Sequence, residues 1–366
     1  MKPARVAMFS LTSVHAVQYM ASVPKHPEYE WVAASVAPAQ RIFACVNMVP
    51  SGVKLYETEE ELLQAHPDLD AVFLIGSNCE TYKQIKLCAK YGIKNLLCMK
   101  VPTFNMEEYT EIQQIIQENN MRIQVELEMR FDQTVRRMKA LVDEGAIGKL
   151  VSMQLYNTTV CVPPELLPWT TIPEESYGRK IPLKPNSPLF RGGALSDHPH
   201  CFDLARFFSG SEFESVYATA SPNIRPERIV EDGVYVVGRM KNGVITSIDP
   251  SYSRHENARA PLHPFGPGWE GYPKRVEVNV VLNGENGTIL GDCFHSGIYH
   301  TGKPYNTYAV QYVGGSSHYA PTLDAYLDTI RNGTKPLINI DSHRKTIEVM
   351  NACYDSIQCG LPITLE

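Results

Sequence analysis

Along the first 130 residues, short apolar runs alternate with stretches of helical periodicity. Arg5–Phe9, Trp31–Val36, Ala71–Ile75, Asn95–Cys98 and Arg122–Glu126 have the length and apolar content of strands. Ala71–Ile75 is apolar throughout, as a strand covered on both faces must be. Between these runs the pattern predicts helices from about Ser13 to Val23, from Thr58 to near His66, over Thr81–Tyr91, and from Asn105 to about Asn119. Thr58-Glu-Glu-Glu61 has the spacing of a capping box, and Gly92 supplies a helix stop. Strand and helix alternating in this way predict a doubly wound α/β domain over residues 1–130, with crossover helices on both faces of a parallel sheet.

From Val151 onward the pattern changes. Ser215–Ala220, Val234–Met240 and Val244–Ile248 follow one another as strands, the last two joined by the turn Lys241-Asn-Gly243. Val276, Val278, Val280 and Leu282 alternate with polar residues, which predicts a strand with one wet face. Helices are expected at His200–Ser209, near Thr322–Arg331 and at Ser342–Gln358. Residues 131–366 therefore read as an α+β domain with an open, mainly antiparallel sheet and helices on one face, the last helix packing back on the first domain. Segments 159–190 and 254–273 are long and rich in Pro, Gly and aromatics. Loops of this length in a compact domain are usually functional or disordered. Trp169, Tyr177, Trp269 and Tyr272 there suit either stacking on a sugar ring or anchoring the loops.

At 366 residues the chain is too long for one ordinary core and suits two domains. With 34 basic and 40 acidic residues the formal charge is −6, which leaves no footprint for nucleic acid and no polybasic membrane patch. No apolar run approaches a membrane span, and Val6–Leu11 is too short for the core of a signal peptide. The nine cysteines form no CxxC pair and mostly sit in apolar runs, as reduced, buried thiols would. A cytoplasmic protein is expected.

Four stretches, taken with the order of elements, resemble the family of sugar and inositol oxidoreductases typified by glucose-fructose oxidoreductase and myo-inositol dehydrogenase. They are Asp70-Ala-Val-Phe-Leu-Ile-Gly-Ser-Asn78, Leu97-Cys-Met-Lys100-Val-Pro102, Arg130-Phe131 with the helix ending Asp143-Glu-Gly-Ala-Ile-Gly148, and Gly192-Gly-Ala-Leu-Ser-Asp197-His-Pro-His200-Cys-Phe-Asp203. The resemblance implies a Rossmann-like first domain that binds NAD or NADP, tightly or otherwise, through Ser10, Leu11, Thr12, Ser13, Ser77, Asn78 and Lys100. It implies hydride transfer to or from a secondary alcohol or ketone of a sugar, glycoside or cyclitol.

The departures from the family pattern are specific. Its two turn glycines after the first strand fall on Ser10 and Thr12, and the acid expected after the second strand falls on Ala37. Arg41, four residues on, is a cation that favours a 2′-phosphate. Around Lys100 the family's acid is Met99 and its proline is Val101.

Lys100 stands past the end of a parallel strand, the edge where ligands sit, and by resemblance contacts both substrate hydroxyl and nicotinamide. A helix opening at Pro199 puts His200 and Asp203 on one face, so that Asp203 fixes the imidazole while His200 takes the hydroxyl proton. Asp197 sits just before that helix. The family's acid and His are four apart, however, which puts Ser196 at the acid position instead. The bland reading is a capping Asp and a structural His. A metal is not assigned: Asp197, His198, His200, His255, His263, His295, His300 and His318 show no helical ligand spacing. The competing class is a non-redox family member, either a metal-assisted lyase or isomerase or a cofactor-free binding subunit. Expected partners are a small carbohydrate and, because a sheet face bearing Val276, Val278 and Val280 needs covering, further copies of the chain as a dimer or tetramer.

Overall fold

The computed structural model of the protein describes residues 2–12, 16–38, 46–76, 78–159, 181–252, 276–293, 297–302, 307–312 and 319–366. The chain divides into two compact units, Met1–Phe131 with Ser317–Arg344, and Asp132–Ser316 with Lys345–Glu366.

In the first unit β1 (Ala4–Phe9), β2 (Tyr29–Ser35), β3 (Lys54–Tyr56), β4 (Ala71–Leu74), β5 (Asn95–Cys98) and β6 (Arg122–Val125) make one sheet. Its order is β3-β2-β1-β4-β5-β6, and every pairing is parallel. The connections carry α1 (Ala16–Ser22), α2 (Glu59–Ala65), α3 (Asn78–Lys90) and α4 (Met106–Asn119). Every residue of β4 and β5 is buried, because covered faces demand unbroken apolar runs. The capping box at Thr58 forms: its hydroxyl accepts the Glu61 N–H at 3.2 Å and the Glu61 carboxylate accepts the Thr58 N–H at 3.3 Å. Asn105 caps α4 through the Glu107 and Glu108 amides. β3 was not expected, since its three residues are largely exposed and carry no apolar run. On one side of the sheet Phe73 meets Tyr19, Tyr29 and Tyr326 with ring centroids 5.9–6.1 Å apart, Tyr326 coming from the late helix Tyr319–Asn332. The strand order reverses between β1 and β4, which makes their C-terminal ends the switch point where doubly wound sheets take ligands.

The second unit opens with α5 (Gln133–Asp143), β7 (Leu150–Thr159), α6 (Ala194–Asp197) and α7 (Pro199–Ser209). Strands β8 (Phe213–Ala220), β9 (Val234–Met240), β10 (Ile245–Asp249), β11 (Val276–Gly284), β12 (Thr288–Asp292), β13 (Gly297–Gly302) and β14 (Thr307–Tyr312) follow. The late helix Tyr319–Asn332 is α8, and α9 (Ile340–Cys359) leads to β15 (Ile363–Thr364). The sheet order is β14-β13-β12-β11-β7-β10-β9-β8-β15, antiparallel except where β10 runs parallel to β7. The expected hairpin forms, with Gly243 at φ +89 and Val236 paired to Ile248.

Along β9, Val234, Val236, Gly238 and Met240 point inward while Tyr235, Val237 and Arg239 point out. One expectation is corrected here. Val280 is fully buried and pairs with buried Leu155, so its phase faces the core rather than an open surface. The side chains of Val276 and Val278 lie outside the description. Exposed apolar groups on this sheet include Val151 on β7 and Tyr217, Tyr235, Val237 and Ile245 on β8–β10. Most of segments 159–190 and 254–273, with Trp169, Tyr177, Trp269 and Tyr272, also lies outside the described residues. Among those described, the thiols of Cys88, Cys98, Cys201, Cys293 and Cys353 are buried and those of Cys79 and Cys359 exposed. No described helix is long and apolar enough to cross a membrane.

Candidate active site

The turn after β1 keeps a glycine-like backbone without glycine. Ser10 and Leu11 have φ of +72 and +47, and the Leu11 N–H donates to Phe9 O at 3.0 Å across a three-residue turn. Left-handed backbone costs a side-chain-bearing residue on the order of 1–3 kcal/mol. Gly76, just past β4, makes the conformation possible: a Cβ there would stand 2.3 Å from the Ser10 Cβ. The room that a glycine at position 10 would leave is therefore left at position 76.

The Ser10 hydroxyl donates toward Glu80 at 3.1 Å and accepts from Gln84 at 3.0 Å, with Glu59 beyond. The Thr12 hydroxyl and, at the end of β2, the Ser35 hydroxyl are buried with no hydrogen-bond partner among the described residues. Ser13, Arg41, Ser77 and the side chain of Asn78 lie outside the description.

Lys100 follows β5 and is only 7% exposed. Its neighbours Cys98, Met99 and Val101 are buried with it. On the adjacent strand end, the Glu126 N–H donates to Cys98 O at 2.8 Å, and the Glu126 and Glu128 carboxylates are buried. Burial first, then the charge of Glu126, holds the Tyr19 phenol of α1 well above its usual range. Isolated cations and anions are not left in an apolar interior. Lys100 just past β5, and Glu126 and Glu128 just past β6, are thus three buried charged residues following neighbouring strands of the first unit.

In the second unit α6 and α7 meet at His198, with Pro199 in the first turn of α7. Asp197 keeps 26% of its side chain exposed, and its carboxylate accepts the Tyr252 hydroxyl at 2.7 Å. His198 Nδ1 lies 2.7 Å from Pro250 O; a carbonyl only accepts, so Nδ1 carries the proton and Nε2 faces Asp197 at 4.0 Å. His200 is buried in the first turn of α7. Asp203, on the same buried side, has its carboxylate 3.9 Å from Arg206. Ser196 turns its hydroxyl to Tyr354 at 2.7 Å. Behind Tyr252, the guanidinium of Arg228 lies 5.0 Å from the ring and pairs with Asp232, both fully buried.

The structure thus joins Tyr252 directly to Asp197, with Arg228 behind the Tyr252 ring, and the sequence singled out neither. No local motif announces Tyr252, which is brought in by β10. Among the described residues no three His, Cys, Asp or Glu side chains group as metal ligands. His255, His263, His295 and His318 lie outside the description, and His300 is placed near Ala146 O, at 3.3 Å.

The chain thus carries a doubly wound α/β unit with buried charges past its strand ends, followed by a mixed-sheet α+β unit. Residues 135–290 match the family model of the GFO/IDH/MocA C-terminal domain. Over that stretch the chain is similar to the Gfo/Idh/MocA-like oxidoreductases. It is 23% identical to myo-inositol 2-dehydrogenase of Thermotoga maritima over 319 residues, 86% of this chain and 84% of that one. It is 28% identical to the uncharacterized oxidoreductase YrbE of Bacillus subtilis over 218 residues, which is 58% of this chain and about half (53%) of that protein's length. Among solved structures, an oxidoreductase from Agrobacterium radiobacter in complex with NAD+, L-tartaric acid and magnesium superposes with a TM-score of 0.78 at 16% identity, covering 99% of this chain and 98% of that one.

Proposed function

We propose that the protein is an NAD(P)-dependent dehydrogenase acting on a secondary alcohol or ketone of a sugar, glycoside or cyclitol. The observation that carries this reading is the burial of Lys100 at the end of β5, beside the switch point of the sheet. Lysine is almost never enclosed unless it is paired or used. The relative from Thermotoga maritima, named for its action on myo-inositol, supports the substrate class.

The residues present fit a dinucleotide. The left-handed turn at Ser10 and Leu11 is retained, and the orphaned hydroxyls of Thr12 and Ser35 stand at the ends of β1 and β2, where a phosphate and a ribose need donors. Ser10, Leu11, Thr12 and Ser13 would hold the pyrophosphate, and Ser77, Asn78 and Lys100 the nicotinamide end. Arg41 would favour NADP(H). When bound, the nicotinamide accepts hydride in alcohol oxidation or gives it in ketone reduction.

Within this reading the chain's own residues have separable tasks. The Lys100 ammonium stabilises the alkoxide that forms as the hydroxyl loses its proton. Neutral His200 accepts that proton, and in reduction the imidazolium returns it. The Asp197 carboxylate, held by Tyr252, accepts a hydrogen bond from the substrate and so orients it.

The test has a binding arm and a kinetic arm. Nucleotide should leave the purified protein on denaturation, or saturating NAD(H) or NADP(H) should raise the melting temperature; neither result would sink the redox reading. His200→Ala should cost about 10²–10⁴-fold in turnover with folding retained, and should remove the loss of rate seen as pH drops through the imidazole range. Lys100→Met should lower turnover without that pH signature. Normal turnover in both variants would move the site elsewhere.

A further inference from the structure

The turn that carries Asp197 is fastened from outside its own element. Gly192 has φ +115, and a Cβ on Gly193 would stand 2.0 Å from the Glu231 carbonyl oxygen. That carbonyl accepts the Ala194 N–H at 2.9 Å. The Glu231 carboxylate accepts the Gly193 N–H with both oxygens at 3.1 Å, the Leu195 N–H at 3.2 Å and the Tyr354 hydroxyl at 2.8 Å. Tyr354, on α9, in turn accepts the Gly192 N–H at 3.0 Å and bonds Ser196 at 2.7 Å.

Either hydroxyl of the Ser196–Tyr354 pair can donate to the other, so Tyr354 can give its proton to the Glu231 carboxyl or accept one from it. Glu231 is fully buried, and burial pushes its carboxyl from 4.5 up to about 7 against the pull of Tyr354, Gly193 and Leu195. Apolar packing in its place would often be more stable. A buried carboxyl kept at this cost, on the turn that leads to Asp197, points to use rather than to stability.

The other charged groups nearby are accounted for. Arg191 lies over the Tyr354 ring at 5.3 Å and is bound by Asp355 and Gln358; Asp232, next along the chain, is closed by Arg228.

We propose that Glu231 is a positioning residue whose carboxyl group holds the Gly192–Gly193 turn and α6 in the place that presents Asp197 and the start of α7. The proposal rests on the reading of Asp197 and His200 as residues that face substrate.

Hydrogen exchange of the intact chain, followed by mass spectrometry, tests it. Protection of the 192–203 segment should fall about tenfold in Glu231→Gln relative to the wild type, the scale of one lost buried hydrogen bond. Tyr354→Phe removes the hydroxyl that ties Glu231, Gly192 and Ser196 together, so protection of the same segment should fall there too. This variant decides the matter if Glu231→Gln fails to fold. With NAD+ or NADP+ and myo-inositol or D-glucose as probes, Glu231→Gln should lower kcat about tenfold to a hundredfold and leave the KM for nucleotide within about twofold. Wild-type protection of the segment in Glu231→Gln, or in Tyr354→Phe, overturns the proposal. Absence of turnover by the wild type on every probe would instead count against the redox reading, and the exchange result still decides the role of Glu231.

Discussion

Ser10 shows how a single residue can depart from a motif while its backbone does not. The strand-to-helix turn needs left-handed backbone because the chain must reverse within three residues, and the closing bond from Leu11 to Phe9 enforces it. Serine meets that need because Gly76 leaves the space across the turn and because Glu80 and Gln84 engage the hydroxyl. The two positions should therefore be coupled. Gly76→Ala alone should destabilise by about 1–3 kcal/mol, the usual cost of overpacking, as read from denaturant unfolding. In a Ser10→Gly background the same change should cost much less, since the opposing Cβ is gone. Equal costs in both backgrounds would show that the contact does not matter.

At the scale of elements, the ends are as informative as the faces. α2 is seven residues long and too short to persist by propensity, so its start depends on the cap at Thr58 and the acidic first turn Glu59, Glu60 and Glu61. Thr58→Ala removes one arm of the capping box and should cost about 1 kcal/mol, whereas Thr58→Ser should cost little. Chemical denaturation of the two variants side by side checks this. The same logic sets the junction at His198. Pro199 starts α7 where its missing N–H is harmless, and Gly210 at φ +61 ends it. α7 thereby presents His200 in a first turn rather than in mid-helix.

For the molecule as a whole, Glu231 makes stability depend on pH. Its folded-state pKa is raised, so the stability it contributes is fully present below about pH 4.5 and is lost as pH rises through about 7. The melting temperature of the wild type should therefore fall, relative to that of Glu231→Gln, between pH 5 and pH 8. Parallel curves across that range would contradict the raised pKa.

What the sequence determined by itself was whatever depends on near neighbours. The apolar runs of β1, β2, β4, β5 and β6, the Thr58 and Asn105 caps, the turn at Gly243 and the start of α7 at Pro199 all follow from residues within a few positions of one another. The family resemblance was legible for the same reason, through stretches such as Leu97–Pro102 and Gly192–Asp203. β3 was not legible, having too few apolar residues to register. Nor was the phase of Val280, which only its pairing with Leu155 in β7 decides. Only the tertiary structure set Gly76 against Ser10, Tyr252 against Asp197, and Glu231 with Tyr354 around the Gly192–Gly193 turn. These contacts join residues 38 to 162 positions apart. They arise from packing and from the requirement that buried polar groups find partners, and neither leaves a periodic trace along the chain.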